Sequence, residues 1–136
     1  MKRIETTCGY CGCGCGLYVN MAEDGTMLGI SPSYNHVVSQ GKLCSKGWHG
    51  FAFVRDARRL TSPLIRKTDG TFREASWEEA YETVATGLKN AMSEGDNTDH
   101  IGIISSARCT NEENYLMAKL ARAGLKTSSV DHCARL

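Results

Sequence analysis

The feature that most constrains this chain is a group of cysteines near its N-terminus. Cys8, Cys11, Cys13 and Cys15 are separated largely by glycines, and Cys44 follows after a long intervening segment. Thiolates spaced C-x2-C-x3-C with a distant fourth are typical of a 4Fe–4S cluster, in which one tight loop supplies three ligands. The glycines allow positive φ and bring backbone N–H groups close to sulfur, where they stabilise negative charge. The spacing therefore predicts an iron–sulfur site.

Two other uses of cysteine explain the pattern less well. A disulfide scaffold has an even number of cysteines and a secretory signal, whereas this chain has 7 cysteines and no apolar signal core near Met1. A zinc site uses two C-x2-C pairs or Cys/His pairs, and only Cys8 and Cys11 form a clean pair. Cys13 leaves the ligand set open, because C-x2-C-x1-C is also possible; its other use is as a small, partly buried thiol.

The composition argues against several other classes of function. The chain has 16 Lys and Arg against 15 Asp and Glu, so its charge gives no case for binding nucleic acid or an acidic membrane surface. Its hydrophobic fraction of 41% is that of a globular protein. No apolar run approaches the ~20 residues of a membrane span. We expect a cytoplasmic protein, because a reducing compartment keeps metal-binding cysteines unpaired.

Residues 1–60 are expected to form a small, β-rich, cluster-binding domain. Residues 31–43 read as a loop that returns Cys44 to the other cysteines. The expected regular elements are a strand at 3–7, a hairpin of 17–21 and 26–30 around an Asp-Gly turn, and a short helix over 47–58.

Residues 61–136 are expected to begin an α/β domain, so that the chain as a whole is α+β. Two capping boxes, Ser76–Glu79 and Thr110–Glu113, predict the starts of two helices. The first helix has an apolar stripe from Trp77 to Met92 and is expected to break over 94–97; the second should end at Gly124. The remaining expected elements are a hairpin over 61–73, a buried strand at 101–104 and a strand from 129 onward. A parallel sheet needs more strands and helices on both faces, so we expect an incomplete fold.

With these elements in place, the chain resembles the N-terminal part of the catalytic subunit of molybdenum or tungsten formate dehydrogenases, which are molybdopterin-dependent oxidoreductases. The resemblance covers essentially the whole chain and includes Cys44–Gly47 and Ser76–Ala80. Its more specific parts are Ser105–Tyr115 and Val130–Leu136, since related nitrate reductases share the cysteine spacing.

The resemblance implies a division of roles among the site residues. It implies four cluster ligands and leaves Cys13 out: Cys8, Cys11, Cys15 and Cys44. It places Lys46 on the electron path between the cluster and a molybdopterin guanine dinucleotide that carries molybdenum or tungsten. A cation two residues from a ligand also stabilises a negatively charged cluster. Arg108, between a strand and a helix N-terminus, is a candidate contact to the pterin cofactor.

The resemblance also gives an expectation for the end of the chain. The metal ligand of the family, a cysteine or selenocysteine followed by histidine, would come directly after Leu136, so Cys133 is expected to be a buried structural residue. Cys109, Trp48 and Trp77 are likewise expected to pack in the interior. A UGA codon, which encodes selenocysteine in some of these enzymes and stop otherwise, would explain an end at this position. The coding sequence beyond codon 136 tests this hypothesis.

The activity implied for the intact enzyme is oxidation of formate to carbon dioxide. Two electrons pass from the metal centre through the cluster to an iron–sulfur or other electron-acceptor subunit, and the remainder of the catalytic subunit completes the fold. This segment alone is expected to be inactive. Two alternatives stay open: a non-catalytic 4Fe–4S electron-transfer module docked to a larger subunit, and a fragment of another molybdopterin oxidoreductase such as nitrate reductase.

Overall fold

The computed structural model describes residues 1–93 and 100–133. The predicted helix break at 94–97 and the final residues 134–136 therefore lie outside the described residues. The strands are β1 (Lys2–Thr7), β2 (Gly16–Met21), β3 (Met27–Pro32), β4 (Leu64–Arg66), β5 (Phe72–Glu74), β6 (Ile103–Ser106) and β7 (Val130–Cys133). The helices are α1 (Ser45–His49), a 3-10 segment (Gly50–Arg55), α2 (Trp77–Ser93), α3 (Asn111–Lys119) and a π segment (Leu120–Gly124).

An antiparallel meander of β1, β2 and β3 forms the N-terminal sheet. Ile4 pairs with Val19, and Val19 pairs with Ile30. The predicted hairpin between β2 and β3 is present: Gly25 has φ 84°, and the Thr26 N–H donates to the Asp24 carboxylate at 2.9 Å. The cysteine loop is the connection between β1 and β2, so the sheet holds both ends of the loop.

The segment after β3 returns the chain to the sheet through two buried serines, Ser33 and Ser39. The helix expected over 47–58 differs from the prediction. It begins earlier, at Ser45, and continues only as the 3-10 segment to Arg55, because Asp56 has an extended backbone (ψ 121°) and ends it. The Asp56 carboxylate then accepts a hydrogen bond from the Arg58 backbone N–H at 2.9 Å.

The first predicted capping box is only half formed. Ser76 caps α2, since its hydroxyl oxygen accepts a hydrogen bond from the Glu79 N–H at 3.2 Å. The Glu79 carboxylate does not return to the helix start but forms an ion pair with Arg73 on β5. The predicted hairpin that carries Arg73 is present: Ile65 of β4 pairs with Arg73 of β5. An ion pair with a neighbouring strand has replaced the local bond.

No residue of α2 is fully buried, and the part of its apolar stripe that packs against the core is its second half. Leu88 and Met92 pack against a small core formed by Ile101, Ile103, Ala121 and Leu125. Trp77 and Tyr81, whose ring centroids are 5.6 Å apart, are exposed. The expectation that Trp77 packs in the interior is therefore wrong for the described part of the chain, and Trp48 is also exposed.

The parallel pair predicted for the second half of the chain is present as β6 and β7, with Ile103 opposite Val130. The first strand starts two residues later than predicted. The second capping box is complete, with Thr110 and Glu113 bonding reciprocally, and the helical stretch ends at Gly124 as predicted. Ile103 is 8% exposed and Ile104 is 85% exposed, so only one face of this pair is covered.

No helix within 1–93 or 100–133 has the length and apolar character that a membrane crossing requires.

Candidate metal centre

The cysteine loop is a closed turn between two paired strands. Thr7 pairs with Gly16, and the Cys8 N–H donates to the Cys15 carbonyl at 2.8 Å, which extends the ladder by one step. Gly14 has φ 68°, a conformation that glycine adopts without strain. The loop therefore places its thiols on a short, rigidly anchored stretch, as the sequence predicted.

The thiols of this loop lie close enough to influence one another. The Cys15 thiol donates to the Cys13 sulfur at 3.5 Å. The pKa of Cys15 is raised to about 11, first by burial and then by the hydrogen bond to Cys13 and the charges of Cys13, Cys8 and Cys11. Such closely spaced thiols resist ionising together unless positive charge compensates them. Bound metal supplies that charge.

Cys44 stands immediately before α1, in an environment that favours its thiolate. The backbone N–H groups of Gly47 and Lys46 lower the pKa of the Cys44 thiol, and the Lys46 charge lowers it further. Neither N–H meets the geometry of a full capping hydrogen bond. The start of α1 therefore favours the thiolate of Cys44, which is the form of cysteine that binds metal.

Direct contacts join the Cys44 segment to the cysteine loop. The Tyr10 hydroxyl donates to the Gly50 carbonyl at 2.8 Å. A Cβ on Gly50 would lie 2.2 Å from the Tyr10 ring, so only glycine allows this approach. Cys8 and Lys46 line the same cavity of about 180 Å³, whose remaining wall is largely apolar. The structure thus brings the predicted relay lysine to the cysteine loop.

Not all the predicted site residues lie in this region. Arg108 follows β6, and its positive charge lowers the pKa of Cys133, although the Ser106 hydroxyl and the Ala107 N–H contribute more. The Cys133 sulfur is 3.4 Å from the Ser106 hydroxyl oxygen and is exposed, so the expectation of a buried Cys133 is wrong. Cys109 is half-buried and lines a second cavity, of about 420 Å³, between β6 and α3.

Sequence reasoning missed a contact between the two halves of the chain. The Asn111 side-chain amide, at the start of α3, donates to the Gly12 carbonyl in the cysteine loop at 3.1 Å. These residues are 99 positions apart, and neither belongs to a periodic pattern that links them. Gly12 is the one feature of these two positions that could have indicated the contact, since a side chain there would collide with Asn111.

The donor set consists of free cysteine thiols, the ligand type that iron–sulfur clusters use. All the cysteines of the described residues are free thiols. In that part of the chain, no three His, Cys, Asp or Glu side chains converge on one point as a single metal ion requires. A 4Fe–4S cluster instead distributes its four thiolate ligands over four irons. A glycine-rich loop of free thiols, joined by direct contacts to a segment that favours the Cys44 thiolate, defines the class: an iron–sulfur protein.

Comparison with known proteins agrees with this class and gives the family. The molybdopterin oxidoreductase Fe4S4 domain matches residues 1–56, and the molybdopterin oxidoreductase family matches residues 59–136. The chain belongs to the molybdopterin oxidoreductase family, and it comprises a small N-terminal Fe4S4 domain followed by the start of the molybdopterin domain.

Individual relatives are similar over nearly the whole chain. The "F420-dependent formate dehydrogenase subunit alpha" of Methanocaldococcus jannaschii is 47% identical over 135 residues, which is 99% of this chain and 19% of the relative. The "F420-dependent formate dehydrogenase 1 subunit alpha" of Methanococcus maripaludis is 48% identical over 133 residues, or 98% of this chain and 19% of the relative. The chain thus spans about a fifth of the length of these relatives.

Proposed function

We propose that this chain is the 4Fe–4S-binding, electron-transfer segment of a formate dehydrogenase catalytic subunit. The carrying observation is the placement of Lys46: it lines one cavity with Cys8 and stabilises the thiolate of Cys44. The ligands of the cluster are Cys8, Cys11, Cys15 and Cys44. The two functional units are residues 1–60, which hold the cluster, and 61–136, which begin the pterin-binding domain.

Each part of the site has a separate task. The cluster, when bound, accepts and releases single electrons. The loop N–H groups and Lys46 stabilise its negative charge, and side chains such as Leu17 and Phe51 give the cavity beside Cys8 an apolar wall. Because Lys46 is a cation within reach of both cysteine segments, it is the residue of this chain best placed to connect the cluster to a second redox group.

The names of the relatives support the proposed substrate. Formate is the proposed substrate, and the pterin cofactor with molybdenum or tungsten performs the chemistry in the longer protein. Arg108, at the carboxyl end of β6, is proposed to contact that cofactor, because ligands of open α/β sheets bind at this edge. An iron–sulfur or other acceptor subunit receives the electrons. The free thiols support a cytoplasmic location.

Iron and acid-labile sulfide in the anaerobically purified intact protein test the ligand set. We expect about four irons from this site, and loss of the cluster signal when any proposed ligand is replaced by serine. Cys13→Ser and Cys133→Ser are the matched controls, since each removes an exposed thiol of the same chain and should retain the iron. Retention of iron in Cys44→Ser, or its loss in Cys13→Ser, contradicts the assignment.

The role of Lys46 requires a separate kinetic measurement. In Lys46→Gln we expect normal iron content and a larger slowing of cluster reduction by formate than by dithionite added from solution. Lys46→Arg, which keeps the positive charge, should lie closer to the wild type. Equal slowing with both reductants would show that Lys46 affects the cluster generally rather than the path from the substrate.

A further inference from the structure

The contact between Asn111 and Gly12 is close and sterically selective. The amide nitrogen of Asn111 donates to the Gly12 carbonyl at 3.1 Å, and a Cβ at Gly12 would lie 2.3 Å from the Asn111 side-chain oxygen. Gly12 does not have positive φ, unlike Gly14, so its backbone conformation does not itself require glycine. The close approach of the Asn111 side chain is what requires it.

This hydrogen bond fixes the orientation of one peptide plane in the cysteine loop. The described chain has no cis peptide bond, so the Gly12 carbonyl and the Cys13 N–H point in opposite directions. With the carbonyl held toward α3, the Cys13 N–H is turned away from α3. It donates to no acceptor in the described residues, which leaves it free for a further partner.

The residues that follow extend this donor surface. Gly14 has φ 68°, whereas Cys13 does not have positive φ, and a change of φ sign of this kind occurs in loops whose successive N–H groups face one side. Concave groups of N–H donors of this kind bind anions, iron–sulfur clusters among them. Asn111 is also the first residue of α3, so the positive end of that helix dipole lies beside the same loop.

We propose that Asn111 is a positioning residue for the iron–sulfur site: by holding the Gly12 carbonyl, it aims the Cys13 N–H at the cluster and raises the cluster's reduction potential. This inference rests on the proposed function, because it requires a cluster in the loop. N–H donation to sulfur stabilises the more negative, reduced state. Asn111 therefore tunes the cluster from the second half of the chain, without being a ligand.

Potentiometric titration of the cluster in the intact protein, followed by electron paramagnetic resonance, tests the proposal. In Asn111→Ala we expect the equilibrium constant for reduction to fall by a factor of about 2 to 12, the range of one hydrogen bond's net contribution. A tenfold fall is about 59 mV for a one-electron couple. Tyr115→Phe is the matched control, since it removes an exposed polar atom from the same helix without changing charge. The reduction potential of the cluster in this variant should equal that of the wild type.

A second variant perturbs the contact from the loop. Gly12→Ala forces the Asn111 amide away without removing it, so the potential should fall in the same direction as in Asn111→Ala. A wild-type reduction potential in either variant overturns the proposal. If Asn111→Ala does not retain iron, the potential of Gly12→Ala alone tests the proposal. Wild-type protein without about four irons at this site would instead contradict the proposed function, so the two failures are distinguishable.

Discussion

Replacing Tyr10 with phenylalanine removes the hydroxyl that joins the cysteine loop to the segment that begins at Cys44. This hydroxyl donates to the Gly50 carbonyl at 2.8 Å across a partly buried contact. The ring itself remains, so its packing against Gly50 is preserved. The substitution therefore isolates one hydrogen bond between the two stretches that carry the proposed ligands.

The expected size of the effect follows from the environment of the bond. A net contribution of about 0.5–1.5 kcal/mol corresponds to a factor of roughly 2 to 12 in the equilibrium between closed and locally opened forms. If iron leaves through that opening, its transfer to a chelator should accelerate by about the same factor, with roughly fivefold at the centre of the range. Iron content before the challenge should be unchanged.

The assay is the rate of iron transfer to an external chelator from the intact protein under anaerobic conditions. Tyr18→Phe is the control: its ring lies beneath the Arg3 guanidinium at 4.4 Å, and its hydroxyl bonds to no residue in the described part of the chain. Equal rates for Tyr10→Phe and Tyr18→Phe would refute the reasoning, because the hydroxyl would then have no part in holding the segments together.

Gly50→Ala perturbs the same contact by steric overlap. A Cβ there would lie 2.2 Å from the Tyr10 ring, and overpacking of this kind costs about 1–3 kcal/mol. In a Tyr10→Ala background the added methyl has room, so the double variant should be less damaged than the sum of the single variants. Additive effects would show that Gly50 matters for the backbone of the 3-10 segment rather than for Tyr10.

Three further predictions concern the surrounding scaffold. Ser39→Ala removes the buried hydroxyl that accepts from the Gly16 N–H at 3.1 Å, and should destabilise the loop by about 1–3 kcal/mol, seen as faster hydrogen exchange at Gly16. Thr110→Ala removes the cap of α3 and should cost about 1 kcal/mol, measured by exchange within that helix. The Thr110 N–H and hydroxyl hold the pKa of the Glu113 carboxyl below its usual 4.5. The ionised carboxylate therefore stabilises α3 above that pH, and this stabilisation is lost as the pH falls through the lowered pKa. Glu113→Gln should abolish this acid dependence of hydrogen exchange in α3.

Local sequence signals predicted the elements whose stabilising bonds are local. The Asp24–Gly25 turn and the Thr110–Glu113 box succeeded because both partners of each bond lie within a few residues. Only half of the Ser76–Glu79 capping box formed, because a competing partner of Glu79 lies outside the motif. Arg73 precedes it on β5, and its guanidinium competes for the Glu79 carboxylate. A capping motif shows which bond is possible, whereas the neighbouring strand decides which bond forms.

The apolar periodicity of α2 likewise predicted the helix but not how much of it is buried. The stripe from Trp77 to Met92 predicted the correct helix and the correct face. Only the end near Met92 meets the core, because the described core consists of a few side chains grouped around Ala121. A helical pattern shows which side chains share a face, but the extent of burial depends on which elements pack there. No pattern within α2 itself contains that information.

The cluster site and the proposed cofactor site differ in how far they depend on distant strands. Thiolate ligation needs few residues, and three of the four proposed ligands lie in one hairpin loop, so their spacing was informative. A site at the carboxyl edge of a parallel sheet is built by several neighbouring strands, and β6 has β7 as its one parallel partner among the described residues. Arg108 stands at that edge beside Cys133, and the neighbouring cavity between β6 and α3 is open along much of its rim. The proposed role of Arg108 therefore rests on a single strand pair, whereas the proposed role of Lys46 rests on contacts within the first fifty residues.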